Sequence, residues 1–258
     1  MPDTDLVFLS VARQAQLIRS RSISPRELVA AYLERIERYD SVLRAYITVC
    51  AEQAMTEAAQ AERDIAAGNY RGPLHGIPFG VKDQLCTRGI RTTVGSKIMA
   101  DHVPDYDATV VSRLKRAGAI LIGKENLHEF GKGGTNYFPY GQPRNPWDPS
   151  RNPGSSSSGS GIAPAAGLCS GSLGEDTGGS VRGPAAACGV VGLRPTFGRV
   201  SRHGGVMYGW TADTIGPITR TVEDNALFLG AIAGHDDNDA LSSARPVPDY
   251  AGALKNGI

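Results

Sequence analysis

DATVVSRLKRAGAILI, residues 107–122, is the stretch that decides the fold class. Asp107 to Ala117 reads as a capped amphipathic helix closed by Gly118, and Ala119-Ile120-Leu121-Ile122 follows at once as an all-apolar strand. Helix, short turn and buried strand make a crossover unit, and such units feed a mainly parallel sheet covered on both faces. A second apolar run, Gly76 to Val81, ends at Lys82 and has the same texture.

Helices precede these strands. Ser24-Pro25-Arg26-Glu27 carries a cap, a proline suited to the first turn and a glutamate able to reach back, with Leu28, Val29, Tyr32, Leu33 and Ile36 on one face behind it. Ala51 to Ala67 is rich in Ala, Glu and Gln and stops at Gly68. Near the other end, Thr221-Val222-Glu223-Asp224 opens a helix that reaches Ala233 and ends at Gly234. Asn145 to Gly179 is crowded with Gly and Ser, the composition of a flexible linker, but the interleaved Ile162-Ala163-Pro164-Ala165-Ala166-Gly167-Leu168 suits close packing of backbone on backbone. No repeat of 20 to 50 residues is visible.

With 258 residues, 41% hydrophobic and 21% charged, the chain is long enough for one sizeable core. Lys and Arg total 27 against 26 for Asp and Glu, and they are scattered, so no basic stripe or acidic tail points to nucleic acid or to a membrane. The expected partner is a small, weakly charged molecule. Cys50, Cys86, Cys169 and Cys188 have neither C-x-x-C spacing nor scaffold density, which favours a reducing compartment. Without a leader-like start or a long apolar run, the expected location is cytoplasmic.

Several chemistries fail for want of pattern. His75, His102, His128, His203 and His235 form no ligand pair, no phosphate-binding glycine motif opens a helix, and the G-x-S-x-G elbow is missing. Ser112-Arg113-Leu114-Lys115 matches S-x-x-K only inside a helix, where it reads as a solvated face. No metal or cofactor is expected. What remains is Asp176-Thr177-Gly178-Gly179-Ser180, preceded by Gly154-Ser155-Ser156-Ser157-Ser158-Gly159-Ser160. A serine after two glycines can sit on a tight turn whose backbone N–H groups point into one concavity, an anion site; the same residues also suit a plain glycine-rich turn.

These residues resemble the amidase signature family. The tract from Gly154 to Ala187, with GEDTGGSVRGPAAA inside it, is similar to the family's signature, and LHGIPFGVKDQLCTRGIRTTVGS (Leu74–Ser96) to its lysine segment. DATVVSRLKRAGAILIGKENLHEF, GQPRNPWDPSRNPG and DTIGPITRTVEDNALFLGAIAGHD agree as well, so the likeness runs from Ser22 onward. It implies an α/β fold with a mixed, largely parallel central sheet covered by helices on both faces. It also implies one domain over residues 1–258, with N-terminal helices to about residue 70 and a catalytic core from about 71, ending where relatives continue.

The resemblance implies a Ser-Ser-Lys triad: Ser180 as nucleophile, Ser156 as proton relay and Lys82 as base. Thr177, Gly178, Gly179 and Ser180 would stabilise the oxyanion through their N–H groups, Phe130 would line the acyl pocket, and Asp176 and Arg182 would support the loop. The chemistry needs a buried lysine, because only desolvation populates the neutral amine near pH 7. Hydrolysis of a small-molecule amide through an acyl-enzyme is the leading implication. A glutaminase subunit of a transfer-RNA-dependent amidotransferase and an inactive binding module are the alternatives, with a homodimer among the assemblies allowed. Departures from the family pattern are Ser155 and Ser158 in place of glycine, a shorter segment between Gly131 and Tyr140, and Glu175 in place of a small hydroxyl residue. A negative Glu175 would oppose an oxyanion unless Arg182 or another cation offsets it.

Overall fold

The computed structural model describes residues 3–132 and 137–256. One sheet is built from β1 (Tyr46–Val49), β2 (Pro78–Lys82), β3 (Ile120–Glu125), β4 (Gly171–Asp176), β5 (Val191–Gly192) and β6 (Thr214–Thr219), in the order β1-β3-β2-β4-β6-β5. β3, β2 and β4 are parallel neighbours, while β1 pairs antiparallel with β3, and β6 with both β4 and β5. Hence β2, β3, β4 and β5 point one way and β1 and β6 the other, the mixed and largely parallel sheet expected. Every residue of β2, β3, β4 and β6 is buried, as strands covered on both faces must be.

The covering helices form where local signals call for them. α3 (Pro25–Leu43) opens on a complete capping box: the Glu27 N–H donates to Ser24 Oγ at 3.1 Å, and the Ser24 N–H to Glu27 Oε2 at 2.7 Å. α4 (Ala51–Ala66) buries Ala54, Ala58 and Ala61 against Val29 and Ile120. α8 (Val222–Ile232) is capped by Thr221, whose hydroxyl accepts the Asp224 N–H. α5 (Thr109–Arg116) starts later than its sequence suggests, with Ala108 at the cap position. Asp107 does not cap it; its carboxylate accepts the Arg88 N–H and pairs with Lys115 at 3.0 Å. Two helices that carry no clear sequence signal, α1 (Asp3–Phe8) and α2 (Val11–Arg19), pack Leu6, Val7, Val11, Leu17 and Ile18 into the main core.

The Gly/Ser-rich tract is not a linker. Ser158–Ala165 is helix α6, with Ser158 to Pro164 buried, and it packs on β2, β3, β4 and β6. Its glycines permit that approach: a Cβ at Gly159 would collide with the Ala45 carbonyl and the Asn126 N–H.

Charged groups also lie inside this core. Lys124 Nζ sits 3.2 Å from Asp83 Oδ1 and donates to Leu85 O and Thr92 Oγ1, fastening the segment after β2. Glu125 lies at the end of β3, where Ser172 Oγ donates to its Oε1 at 2.6 Å and its Oε2 has no partner among the described residues. Burial, opposed only by hydroxyl hydrogen bonds, pushes this carboxyl up to about 8. The folded state therefore binds a proton that the unfolded chain releases near its ordinary value of 4.5, so stability falls as pH rises from there to about 8. Glu125→Gln should flatten this slope and exceed the parent protein in stability at pH 8, as measured by urea unfolding at pH 5 and pH 8.

Candidate active site

β2 and β4 lie side by side in parallel, with Val81 opposite Leu173, so their C-terminal ends open on the same edge of the sheet. Crevices at that edge are the usual ligand sites of such sheets. β2 ends on Lys82, β4 ends on Glu175 and Asp176, and the turn into helix α7 (Arg182–Cys188) carries Ser180. α6 begins just after Ser156 and Ser157, which bring the serine tract against the same edge.

Lys82 is 0% exposed. Its Nζ lies 2.8 Å from Ser156 Oγ, 2.9 Å from Glu175 Oε2 and 3.3 Å from the Glu175 main-chain oxygen. Burial, first of all, pulls the amine below the usual lysine value, and Glu175, Asp213 and Asp176 oppose that only in part. The carboxylate next in sequence, Asp83, takes no part, since it faces Lys124 and accepts from the Thr93 N–H and hydroxyl. Ser156 is also fully buried, and its carbonyl accepts the His128 N–H at 3.2 Å.

Ser180 is half-buried beside this pair. The Ser157 N–H donates to its carbonyl at 3.2 Å, which ties the serine tract to the turn. Among the described residues no hydrogen bond joins the Ser156 and Ser180 hydroxyls. Ser180 lines a cleft of about 590 Å³ together with Gly131, Lys132, Ser155, Thr177, Gly178, Gly179, Gly183 and Tyr208. Gly179 has φ of +136°, a conformation that side-chain-bearing residues avoid, so the turn needs glycine there.

Of the expected oxyanion donors, the Gly179 N–H is already taken by Asp176 Oδ1 at 2.7 Å. Those of Thr177, Gly178 and Ser180 make no hydrogen bond among the described residues. Phe130 lies in a short 3-10 turn and is not among the residues lining the cleft; its neighbours Gly131 and Lys132 are. Residues 133–136, part of the segment from Gly131 to Tyr140 expected to be shorter than in relatives, lie outside the described residues.

Asp176 and Arg182 are joined across the loop. The guanidinium grips the carboxylate with two bonds of 3.0 Å, and Asp176 also accepts the N–H groups of Gly179, Val181 and Arg182. Burial pushes the Asp176 carboxyl up, but these donors outweigh it and hold it below its ordinary range. Arg194, which carries no sequence signal, reaches the same carboxylate at 3.5 Å. Arg182 therefore does not offset Glu175. The basic group that faces Glu175 is Lys82 itself, and both side chains are fully buried. The Ser158 hydroxyl donates to Gly154 O at 2.6 Å, across the turn that carries Ser156, and Ser158 starts α6. No cluster of three His, Cys, Asp or Glu among the described residues could hold a metal ion.

The amidase family model matches residues 27–257. The chain belongs to the amidase signature family. It is similar to the A subunit of the glutamyl-tRNA(Gln) amidotransferase of Moorella thermoacetica, 51% identical over 97% of this chain and 52% of that protein. Among solved structures it resembles the native peptide amidase of Stenotrophomonas maltophilia, with TM-score 0.91 and 41% identity over 95% of this chain and 52% of that one. It also resembles the A subunit of the glutamyl-tRNA(Gln) amidotransferase of Thermotoga maritima, with TM-score 0.79 and 39% identity over 93% and 50% of the two chains. The chain thus spans about half the length of these family members.

Removing the anchor of the turn that carries Ser180 should matter more than removing its guanidinium. Asp176→Ala strands three backbone donors and should cost ~2–4 kcal/mol. Arg182, with a side chain 54% exposed, leaves Asp176 its N–H donors and Arg194, so Arg182→Met should cost about 1 kcal/mol or less. Urea unfolding of the two variants checks the order.

Proposed function

We propose that this chain hydrolyses a carboxylic amide to an acid and ammonia or an amine through an acyl intermediate on Ser180. The observation that carries this reading is the fully buried Lys82 amine 2.8 Å from the Ser156 hydroxyl, beside a cleft lined by Ser180. A serine hydroxyl is too weak an acid to attack an amide unaided, and a desolvated amine is a base fit for pH 7. Ser180 Oγ attacks the carbonyl and its proton passes to Ser156, which hands its own to Lys82. The uncommitted N–H groups of Thr177, Gly178 and Ser180 are the donors offered to the oxyanion, each worth on the order of 3 kcal/mol when it bonds there. The proton then returns through Ser156 to the leaving nitrogen, and water releases the acid. The missing bond between the two serine hydroxyls forms in this reading as substrate closes the site, since such contacts commonly tighten only in the complex.

A second reading is favoured by the likeness to the amidotransferase of Moorella thermoacetica: the amide would be glutamine and the ammonia would pass to a partner protein. Ammonia release measured over glutamine and a panel of other small amides separates the two. The first reading also fits a protein working in the cytoplasm, where the thiols of Cys50, Cys86, Cys169 and Cys188 stay free.

Labelling with a serine-reactive fluorophosphonate, followed by peptide mapping, should place the adduct on Ser180. Ser180→Ala and Lys82→Ala should each lower turnover by roughly a thousandfold or more, whereas Ser156→Ala should keep slow acylation by activated esters, which need less help with the leaving group. Amide hydrolysis that survives Ser180→Ala, or unchanged activity of Lys82→Ala near pH 7, would overturn the assignment. A chain that takes no label and releases no ammonia from any amide would instead be a binding module.

A further inference from the structure

Among the described residues that line the Ser180 cleft, Tyr208 alone carries a ring; the others are four glycines, Ser155, Thr177 and Lys132. Tyr208 is 56% exposed, so its ring is placed by its main chain more than by packing. That main chain is held by a fully buried carboxyl group. Asp213 Oδ2 accepts the N–H groups of Tyr208 and Gly209, the second at 2.8 Å, and Asp213 Oδ1 accepts the Thr177 hydroxyl at 2.6 Å. One side chain thus joins the loop of Tyr208 to the turn that leads into Ser180.

The two segments are in close contact. A Cβ at Gly209 would lie 2.9 Å from both Asp213 Oδ1 and Thr177 Cγ2, so glycine is what lets the loop come down on the turn. Elsewhere the loop has other fastenings. The Val206 N–H donates to Gln84 O at 3.0 Å and Gln84 Nε2 to Val206 O at 2.9 Å, while Arg202 Nη1 donates to Trp210 O and Arg194 Nη2 to Ala212 O, each at 2.6 Å. The N–H groups of Tyr208 and Gly209 have Asp213 as their only acceptor among the described residues. Losing Asp213 therefore frees the stretch that bears on the cleft and leaves the rest of the loop tied.

We propose that Asp213 is a positioning residue that latches the Tyr208 wall to the turn carrying Ser180, and that the ring so fixed packs against an apolar group, aromatic or aliphatic, on the amide substrate. This rests on the reading of the cleft as the amide site. Ligand clefts combine a few polar groups that set orientation with apolar surface that supplies contact. Here the hydroxyls and free N–H groups of the turn are the polar part, and Tyr208 is the side chain able to supply the surface. A ring held through its main chain loses little freedom when the substrate arrives, so the latch adds to the grip on that group without touching it.

Acetamide and phenylacetamide differ by one phenyl group, and the ratio of their kcat/KM values reads the contact. Tyr208→Ala should lower the preference for phenylacetamide by ~10-fold or more, chiefly through KM. Asp213→Asn can turn its one oxygen to the Thr177 hydroxyl or to the two N–H groups but not to both, and should shift the ratio the same way. The combined variant should add less than about twofold, because the two residues act on one contact. Thr177→Val removes only the tie to the turn, leaves Asp213 on its N–H donors, and should also lower the ratio, which tests the latch even where the buried substitution does not fold. In amide hydrogen exchange, Tyr208 and Gly209 should be protected in the parent protein and exchange about tenfold faster or more in Asp213→Asn, with the strands unchanged. Calorimetric binding of the two amides to Ser180→Ala reads the same preference without turnover. Equal falls for both amides, effects of Tyr208→Ala and Asp213→Asn that multiply, or unprotected Tyr208 and Gly209 amides in the parent would overturn the proposal. A binding preference that Tyr208→Ala and Asp213→Asn each abolish, with neither amide turned over by the parent, would uphold it and reject the amidase reading.

Discussion

The site depends on one contact made out of water: the Lys82 amine on the Ser156 hydroxyl, at the shared edge of two parallel strands. Only a fold that covers the sheet on both faces can desolvate a lysine at the end of a strand, and only then is the amine a base. The helices, the tight glycines of α6 and the fully buried strands β2 and β4 all serve that condition. Lys124, at the penultimate position of β3, is buried in the same way: it is fully enclosed, and its amine is met by Asp83, Leu85 O and Thr92. Lys82 has the same three kinds of partner, a carboxyl, a main-chain oxygen and a hydroxyl, and differs in place: its hydroxyl partner Ser156 follows Ser155, which lines the cleft with Ser180.

Much of this is legible in the residues. The crossover pattern of 107–122 points to the sheet class because an apolar strand directly after an amphipathic helix has few other packings. The capping signals of α3 and α8 are local, and the structure keeps them, since the groups that satisfy them lie within four residues. The start of α5 shifts because Asp107 finds a better partner, Lys115, two turns along. α1 and α2 escape a reading of the sequence because they are short and draw their stability from packing on α3 and α8. The meeting of Lys82, Ser156 and Ser180 at one edge cannot come from periodicity, as they are separated by long stretches of chain; it comes from resemblance.

Glu175 shows why adjacency in sequence misleads within a strand. Arg182 looks like the natural cation for Glu175, since it follows close behind. Successive side chains of a strand point to opposite faces, however, and Glu175 and Asp176 are successive residues of β4. Asp176 therefore faces the turn and takes Arg182 and Arg194, and Glu175 faces β2 and takes Lys82. The same alternation puts Gly80 and Lys82 on one face of β2, and a side chain at Gly80 would strike the Glu125 carboxyl. Two buried acids thus stand on the face that carries Lys82. One, Glu125, has a hydroxyl donor but no cation, and burial alone keeps its proton to about pH 8. The other, Glu175, lies 2.9 Å from the Lys82 amine. A strand that places acids on the dry face of a sheet must keep them neutral or pair them, and these two acids take the two routes: burial keeps the proton on Glu125, and Glu175 is paired with Lys82.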